Sequence, residues 1–488
     1  MTKHLDIDTK AMRAKILDLA IRGKLTDQQQ EDGSARDLLK AIQAEKEKLI
    51  KEKKIKKEKP LPEITEEEKP YEIPNSWEWV RLRDISSKIV DGTHHSPPNQ
   101  ITGAYMYVTA KNIKSDGVHL DNITYVSENV HKEIYSRCNP EMGDILYIKD
   151  GATTGIVTIN NIKQEYSLLS SVALIKTFDA IYNSYIVYAL RNPVFYGSVR
   201  DKMTGTGITR ITLRVLSTLL IPLPPLAEQK RIADKVSALF AQLDVIDKAY
   251  EEYRELQQVM KSKLLELAIQ GKLTDQREED GNARDLLKEI QAEKEKLIKE
   301  KKIKKEKPLP EITEEEKPFE IPNSWEWVRW GTLSTSIKYG YNTSAQKDGK
   351  IKMVRISDIQ NNQVNWDSVP FCNIPHEEIT QYLLRKNDIL FARTGGTVGK
   401  SYLVSEVPEN VVYAGYLIRT RYSEKLSPQY LKYFMESYLY WSQLKKGTTI
   451  TAQPNCNAKT LEKMVLPLPP LAEQQRIVAK LDELLPLL

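Results

Sequence analysis

One block of this sequence occurs twice almost unchanged, and that repetition narrows the possible folds more than any other feature. Residues 43–81 recur as 291–329, with Tyr71 against Phe319 as the single substitution. The similarity reaches back through Gly23-Lys24-Leu25-Thr26-Asp27, which returns as Gly271-Lys272-Leu273-Thr274-Asp275. A second block, Pro222-Leu223-Pro224-Pro225-Leu226-Ala227-Glu228-Gln229, returns at 467–474. Between these blocks lie two stretches of similar length and weak similarity, about 82–221 and 330–466. A fixed internal period signals repeated structural units. Aligning Leu488 with Leu243 and Met1 with Ala249 makes the two termini together one further copy. The chain thus reads as two tandem units cut inside a repeat, with pseudo-twofold symmetry expected if the termini meet.

The repeat is helical by its spacing. Ile232, Val236, Leu239, Leu243, Ile246, Tyr250, Tyr253, Gln257, Met260, Leu264 and Leu267 alternate steps of four and three, an a/d seam along one helix face. The split copy carries Ile477, Leu481, Leu484 and Leu488, then Leu5, Met12, Ile16 and Leu19, with Pro486 as a defect in the register. Seams of matching length are expected to pair with each other, antiparallel. A shorter helix should start at Ser34-Ala35-Arg36-Asp37 and at Asn282-Ala283-Arg284-Asp285. It is expected to run as a solvated Lys/Glu helix as far as Pro60. The variable stretches alternate apolar and polar residues, as in Trp77-Glu78-Trp79-Val80 and Tyr105-Met106-Tyr107-Val108, and predict sheet. They share a skeleton: Val108 to Ile113 parallels Val354 to Ile359, and Asp144-Ile145-Leu146 with Gly151 and Gly155 parallels Asp388-Ile389-Leu390 with Gly395 and Gly399. The predicted class is α+β: two mixed α/β domains separated by a long antiparallel helical coiled coil, in a pseudo-twofold circular repeat. The boundaries fall at 1–72 (helical), 73–221 (variable domain), 222–320 (helical), 321–466 (variable domain) and 467–488 (a helix pairing with the N-terminal region).

Composition excludes several function classes. No apolar run approaches the ~18 residues of a membrane span, and the first residues lack the apolar core of an export signal. Cys138, Cys372 and Cys456 have no CxxC pairing, which argues against a disulfide scaffold or a cysteine-rich zinc module and suits a reducing cytoplasm. The net charge of +5 is mild for a nucleic-acid binder. Catalytic signatures are also weak. Thr394-Gly395-Gly396-Thr397-Val398-Gly399-Lys400-Ser401 looks like a phosphate-binding loop, but Thr394 stands where glycine is needed, strand rather than helix follows, and Ile156 replaces Lys400 in the parallel domain. The Pro-Pro pairs are followed by Asn99, Leu226 and Leu471 rather than an aromatic residue, as an amino-methyltransferase would need. Glu-x-Lys triplets occur in charged tails, and His94-His95 has no further ligand at metal-binding spacing. The expectation is a chain without an active site, a metal or a cofactor of its own.

Recognition chemistry remains. In the first variable domain the candidates are Thr93, His94, His95 and Ser96 on a turn-rich loop, Lys111 and Asn112 after a strand, Lys149, and the later cations Arg200, Lys202 and Arg210. In the second they are Tyr339, Tyr341, Asn342, Thr343 and Ser344, then Arg355 and Ser357, Arg393, and Lys445, Lys446 and Thr448. Arg, Lys, Asn and Gln can read base edges, and Lys with Ser or Thr can hold phosphates.

The whole chain resembles the specificity subunit of a Type I restriction-modification system. The resemblance rests on Ile-Pro-x-x-Trp-x-Trp (Ile73 to Trp79, Ile321 to Trp327), on Leu-Pro-Leu-Pro-Pro-Leu-Ala-Glu-Gln (Leu466 to Gln474, with Ile221 replacing the first Leu in the other copy), on the Gly-Lys-Leu segment and on the circular repeat. It implies two target-recognition domains, each reading half of a bipartite, asymmetric double-stranded DNA site, with the helix length setting the gap. It further implies that the helices dock two methyltransferase subunits and that restriction subunits complete a complex able to methylate DNA and cleave it with ATP. S-adenosylmethionine, ATP and magnesium would sit on those partners. A specificity module of a Type II-like restriction-methylation enzyme, or a coiled-coil adaptor that binds no DNA, are the alternative readings.

Overall fold

The computed structural model describes residues 7–57, 59–204, 209–447 and 455–488. It divides into two compact units, one ending at Tyr250 and one beginning at Glu251. A single helix, Leu226–Ile269, supplies its first half to one unit and its second half to the other.

In the first unit the helix Thr9–Ile21 runs antiparallel to the long helix. Thr9 Oγ1 donates to Asp247 at 2.6 Å, and Arg13 pairs with Asp247 at 2.6 Å and Asp244 at 2.9 Å. Beyond the turn, Arg231 pairs with Asp32. In the second unit the helix Leu471–Leu484 repeats the arrangement: Tyr253 donates to the Leu488 carbonyl at 3.2 Å, and Arg476 pairs with Asp280 at 2.5 Å. The first pair follows the expected seam, with Ile232, Val236 and Leu243 buried; at the other end of the long helix the buried residues are Leu265, Ala268 and Ile269, one step round the helix from the expected Leu264 and Leu267, which are half-buried. Between those ends the seam residues Tyr253 and Met260 are both 46% exposed, and Val245, Leu256 and Val259 beside the seam are 57–68% exposed, because among the described residues each shorter helix covers only one end of the long one.

The second repeat helix starts as its capping sequence predicts: Ser34 Oγ accepts from Asp37 N at 3.3 Å and Asn282 Oδ1 from Arg284 N at 2.8 Å. It stops earlier than expected, at Lys51 and Lys299 rather than near Pro60. Leu49 and Ile50 are the last apolar residues at helical spacing, and Lys53 and Lys301 then take φ of 57° and 59°, a left-handed end that closes the last turn.

Each variable domain hangs on a two-stranded ribbon: Glu78–Arg81 against Leu220–Leu223, and Glu326–Arg329 against Val465–Leu468, both antiparallel. Inside, a four-stranded sheet orders Ser86–Asp91, Val172–Thr177, Ile145–Ile148 and Val157–Ile159. Its counterpart orders Ser334–Tyr339, Leu417–Tyr422, Ile389–Ala392 and Ser401–Leu403. A three-stranded sheet, built on a parallel pair, completes each: Tyr105–Val108 with Tyr166–Leu168, and Ile351–Val354 with Val411–Tyr413. The faint shared skeleton of the two stretches is thus one topology used twice.

The repeated motifs meet where each domain leaves its helices. Trp77 Nε1 donates to Glu228 Oε2 at 2.8 Å and Gln28 Nε2 to Glu228 Oε1, with Glu228 1% exposed. Gln229, fully buried, accepts from Tyr182 N at 3.0 Å and donates to the Pro224 carbonyl at 2.9 Å. The other copy holds Trp325 to Glu473 at 2.7 Å, Ser427 N to Gln474 at 3.0 Å and Gln474 to the Pro469 carbonyl at 2.9 Å.

Two outcomes test this lock. Trp77→Phe keeps the ring but leaves a buried carboxylate short of a donor, so it should cost about 1–3 kcal/mol in denaturant unfolding. Burial pushes the Glu228 carboxyl above its ordinary 4.5. The folded state therefore favours the protonated acid, and this stabilisation is complete below the ordinary value and lost as pH rises through the raised one. Glu228→Gln, with no proton to lose, should gain on the wild type in unfolding free energy as pH rises above 4.5. A gap that does not widen as pH rises above 4.5 would exclude a raised carboxyl.

Candidate nucleic-acid interface

The loops at Thr93 and Lys149 in the first domain, and at Tyr341 and Arg393 in the second, are tied to neighbouring strand ends by the same backbone bonds. After the strand Ser86–Asp91 the chain passes Gly92, where a Cβ would collide with the Leu168 carbonyl. Thr93 N donates to Leu168 O at 2.8 Å, and Ser170 N donates to Thr93 O at 2.8 Å. In the second domain Gly340 passes equally close to the Tyr413 and Ala414 carbonyls. Tyr341 N then donates to Tyr413 O and Gly415 N to Tyr341 O, both at 2.8 Å. Lys149 N donates to Ser171 O at 2.9 Å and receives Ile211 N on its own carbonyl at 2.9 Å. Arg393 does the same with Tyr416 O at 3.1 Å and Cys456 N at 2.9 Å. Lys149 and Arg393 are therefore equivalent positions, as are Asp91 and Tyr339.

The side chains at those positions differ. Asp91 is 3% exposed and faces two cations, Lys149 at 3.4 Å and Arg137 at 3.4 Å, and the His94 ring at 3.3 Å. In the second domain Arg393 lies over the Tyr339 ring, 4.8 Å from its centroid, and the Tyr339 hydroxyl accepts from Ala458 N at 3.0 Å. An ion pair in one domain becomes a cation–π contact in the other.

In the second domain a groove of about 1040 Å³ brings together Asn342, Thr343, Ser344, Arg355 and Ser357, all expected from sequence. Arg355 is gripped by Asp358 through two bonds, Nη2 to Oδ1 at 2.7 Å and Nε to Oδ2 at 3.1 Å, which raises its basicity and fixes the plane of the guanidinium. Thr397 and Tyr416 also line the groove, and sequence reasoning missed both. Tyr416 is 63% exposed on a turn between two strands, where its apolar neighbours read simply as more strand. Tyr341 packs edge-on against Tyr382 with ring centroids 5.3 Å apart. Lys445 and Lys446 are exposed at the end of the helix Tyr438–Gly447, and Thr448 lies outside the described residues.

In the first domain His94, His95, Ser96, Lys111, Arg200, Lys202 and Arg210 are exposed and Thr93 is half-buried. Arg210 is held by backbone bonds with Thr204, and Arg200 caps the Tyr196 ring at 5.6 Å. Two expected contacts are corrected. The Lys149 side chain is 9% exposed and sits between Asp91 and Asp150, so its charge is spent inside the domain. Asn112 is 5% exposed, accepting from Thr109 N at 3.1 Å and donating to the His119 carbonyl at 3.2 Å, so it closes a turn.

One cluster has the residue types of a hydrolase triad: His131 lies 3.1 Å from Ser167 Oγ and 3.4 Å from Glu165. Ser167 is fully buried on a strand and beyond the reach of a substrate. Among the described residues no group of three or more His, Cys, Asp or Glu is placed to hold a metal ion, and no helix is long and apolar enough to cross a membrane.

Comparison with known proteins agrees with this geometry. A family model described as the Type I restriction modification DNA specificity domain matches residues 74–252 and 322–486. The Escherichia coli Type I restriction enzyme EcoAI specificity subunit is 29% identical, over 98% of this chain and 89% of its own. The Escherichia coli EcoEI specificity subunit is 26% identical, over 97% and 88%. A solved chain, from work on complex assembly and conformational transition of the type I R-M system, is 21% identical with a TM-score of 0.55, covering 85% of this chain and 91% of that one. The last likeness is one of fold.

Asp91→Asn should leave Lys149 in the interior with Asp150 alone, and breaking a buried pair of this kind costs about 3 kcal/mol. Asp358→Asn, whose partner Arg355 is 42% exposed, should cost no more than about 1 kcal/mol. Equal unfolding midpoints for the two variants would contradict the difference in burial.

Proposed function

The chain belongs to the Type I restriction-modification DNA specificity family, and from that premise we propose that each variable domain reads one half of a bipartite, asymmetric site in double-stranded DNA. It is the DNA sequence-recognition subunit of such a system. The observation that carries the half-site reading is the groove of the second domain, where Asn342, Thr343, Ser344 and Ser357 offer hydrogen-bonding groups beside a guanidinium held flat by Asp358. Such a fork suits bidentate contact with guanine, and amide and hydroxyl groups suit adenine and phosphate. The equivalent loop of the first domain presents His94, His95 and Ser96 on the same backbone frame, so one scaffold offers two different edges and two different half-sites.

The chain contributes recognition and no chemistry. Methylation and ATP-driven cleavage are assigned to two methyltransferase subunits, docked on the helical regions, and to restriction subunits, which would carry S-adenosylmethionine, ATP and magnesium. The working compartment in this reading is the cytoplasm, and the reading places the recognition domains at 73–221 and 321–466.

The reading is tested by replacing Asn342, Thr343 and Ser344 with alanine in the full chain and sequencing methylated bases in a host carrying the complete system. Each lost base contact is worth about 1–3 kcal/mol. Preference should fade in one half of the site and stay intact in the other. Loss of both halves, or of neither, counts against it.

A further inference from the structure

The groove of the second domain does not end at its recognition loops. Ile356, Ile359 and Thr397 line it and also line a second cavity of about 550 Å³, walled by Lys261, Lys400, Lys432, Glu436, Tyr402 and Trp441. Three lysines and a single carboxylate line this cavity. Lys432 is 4% exposed and pairs with Glu436 at 2.6 Å, and Lys261, from the long helix, reaches the other oxygen of Glu436 at 2.8 Å. Asn362, at the tip of the hairpin below Arg355, donates to the same carboxylate at 3.3 Å. Glu436 is thus fully engaged. Lys400 is exposed and holds no carboxylate among the described residues. Trp441, 40% exposed, forms an apolar wall beside it.

The first domain offers a built-in comparison. Ile156 stands at the position of Lys400. Arg13, which aligns with Lys261, is committed to Asp244 and Asp247. Arg191, at the position of Glu436, donates to the carbonyls of Val157 and Ser115, and Tyr196 takes the place of Trp441. The same hollow in that domain, about 350 Å³, presents no free ammonium group among its described lining residues. The excess positive charge is a property of one domain.

Resting on the half-site reading above, we infer that this cavity is a phosphate subsite: Lys400, backed by the Lys261–Glu436–Lys432 cluster, holds one backbone phosphate of the duplex whose bases lie in the adjoining groove. The glycine-containing turn Gly395–Thr397 carries the chain from the recognition groove to Lys400, so its likeness to a nucleotide loop finds a use without a nucleotide. The contact positions the duplex and reads no base. Its strength falls with salt, because each phosphate neutralised releases counterions and adds about 0.9 to the slope of log K against log salt.

The experiment measures binding of the full chain to a duplex carrying its methylome-defined site over a range of salt, for wild type, Lys400→Gln and Lys261→Gln. A parallel set of duplexes carries a single uncharged methylphosphonate at each position in turn. Lys400→Gln should lower the salt slope by about 0.9 and leave the preferred bases unchanged. One methylphosphonate should weaken wild type as much as the substitution does and cost Lys400→Gln nothing further. Lys261→Gln should weaken binding less, since Glu436 already shares its charge. A wild-type slope in Lys400→Gln, or an altered base preference, overturns the subsite alone. A wild-type chain indifferent to the sequence of the duplex overturns the half-site reading and the subsite with it.

Discussion

Everything on either side of the repeat depends on a buried carboxylate. Glu228 and Glu473 sit almost out of contact with water, an arrangement that is costly unless the charge is hydrogen-bonded. Each is satisfied by a tryptophan and a glutamine from the other end of a recognition domain: Gln28 precedes the first domain and Trp77 lies at its start, while Glu228 follows it. One hydrogen-bonded group therefore holds the start of a domain to its finish. The neighbouring Gln229 and Gln474 extend the same logic to the domain itself, receiving a backbone N–H from Tyr182 or Ser427. The duplicated motifs are the sequence record of this lock. Pro224 and Pro469 follow the last residue of the ribbon strand, and inside the strand the carbonyls of Pro222 and Pro467 are taken by the hydroxyls of Tyr185 and Tyr430.

The architecture was legible where sequence and structure share a period. A near-identical block returns as near-identical structure, and the a/d spacing marked the buried residues at the first end of the long helix, where Ile232, Val236 and Leu243 meet a partner helix of the same repeat, but missed by one step at the other, where Leu265, Ala268 and Ile269 are buried in place of Leu264 and Leu267. It failed in the middle of the helix, where apolar residues continue but the described partners stop. It also extended the second repeat helix too far, since alternating Lys and Glu satisfy helical spacing whether or not any apolar contact supports it. Propensity cannot see where packing ends.

The candidate surface was legible by residue type and less so by burial. The polar run Asn342-Thr343-Ser344 and the cation Arg355 reach one groove because the loops that carry them are tied to the same strands. Lys149 and Asn112 have equally suitable chemistry but lie inside, and nothing in a single sequence separates a lysine that faces a partner from one that faces a buried aspartate. Tyr416 escaped notice for the opposite reason, since an aromatic residue in a run of strand formers looks like core. The equivalence of Asp91 with Tyr339 emerges only from the backbone bonds, which also bear out the pairing of Lys149 with Arg393 that the aligned Asp144 and Asp388 segments imply. Each pair is chemically sensible by itself, and neither half could be exchanged across domains without the other.

The two-stranded ribbon at the root of each domain bears on how such chains change. Trp79 lies across from Pro222 and Trp327 from Pro467, so the chain enters and leaves a recognition domain at adjacent points. A genetic crossover that replaces everything between those points substitutes one closed loop of polypeptide for another, with both splice sites inside the repeated blocks. Internal partners such as Asp91 and Lys149 then travel together, and the incoming segment needs to match its host only across a few residues of strand. Crossovers placed within a domain would separate such partners. New specificities should therefore arise in this lineage by wholesale replacement far more readily than by piecemeal blending.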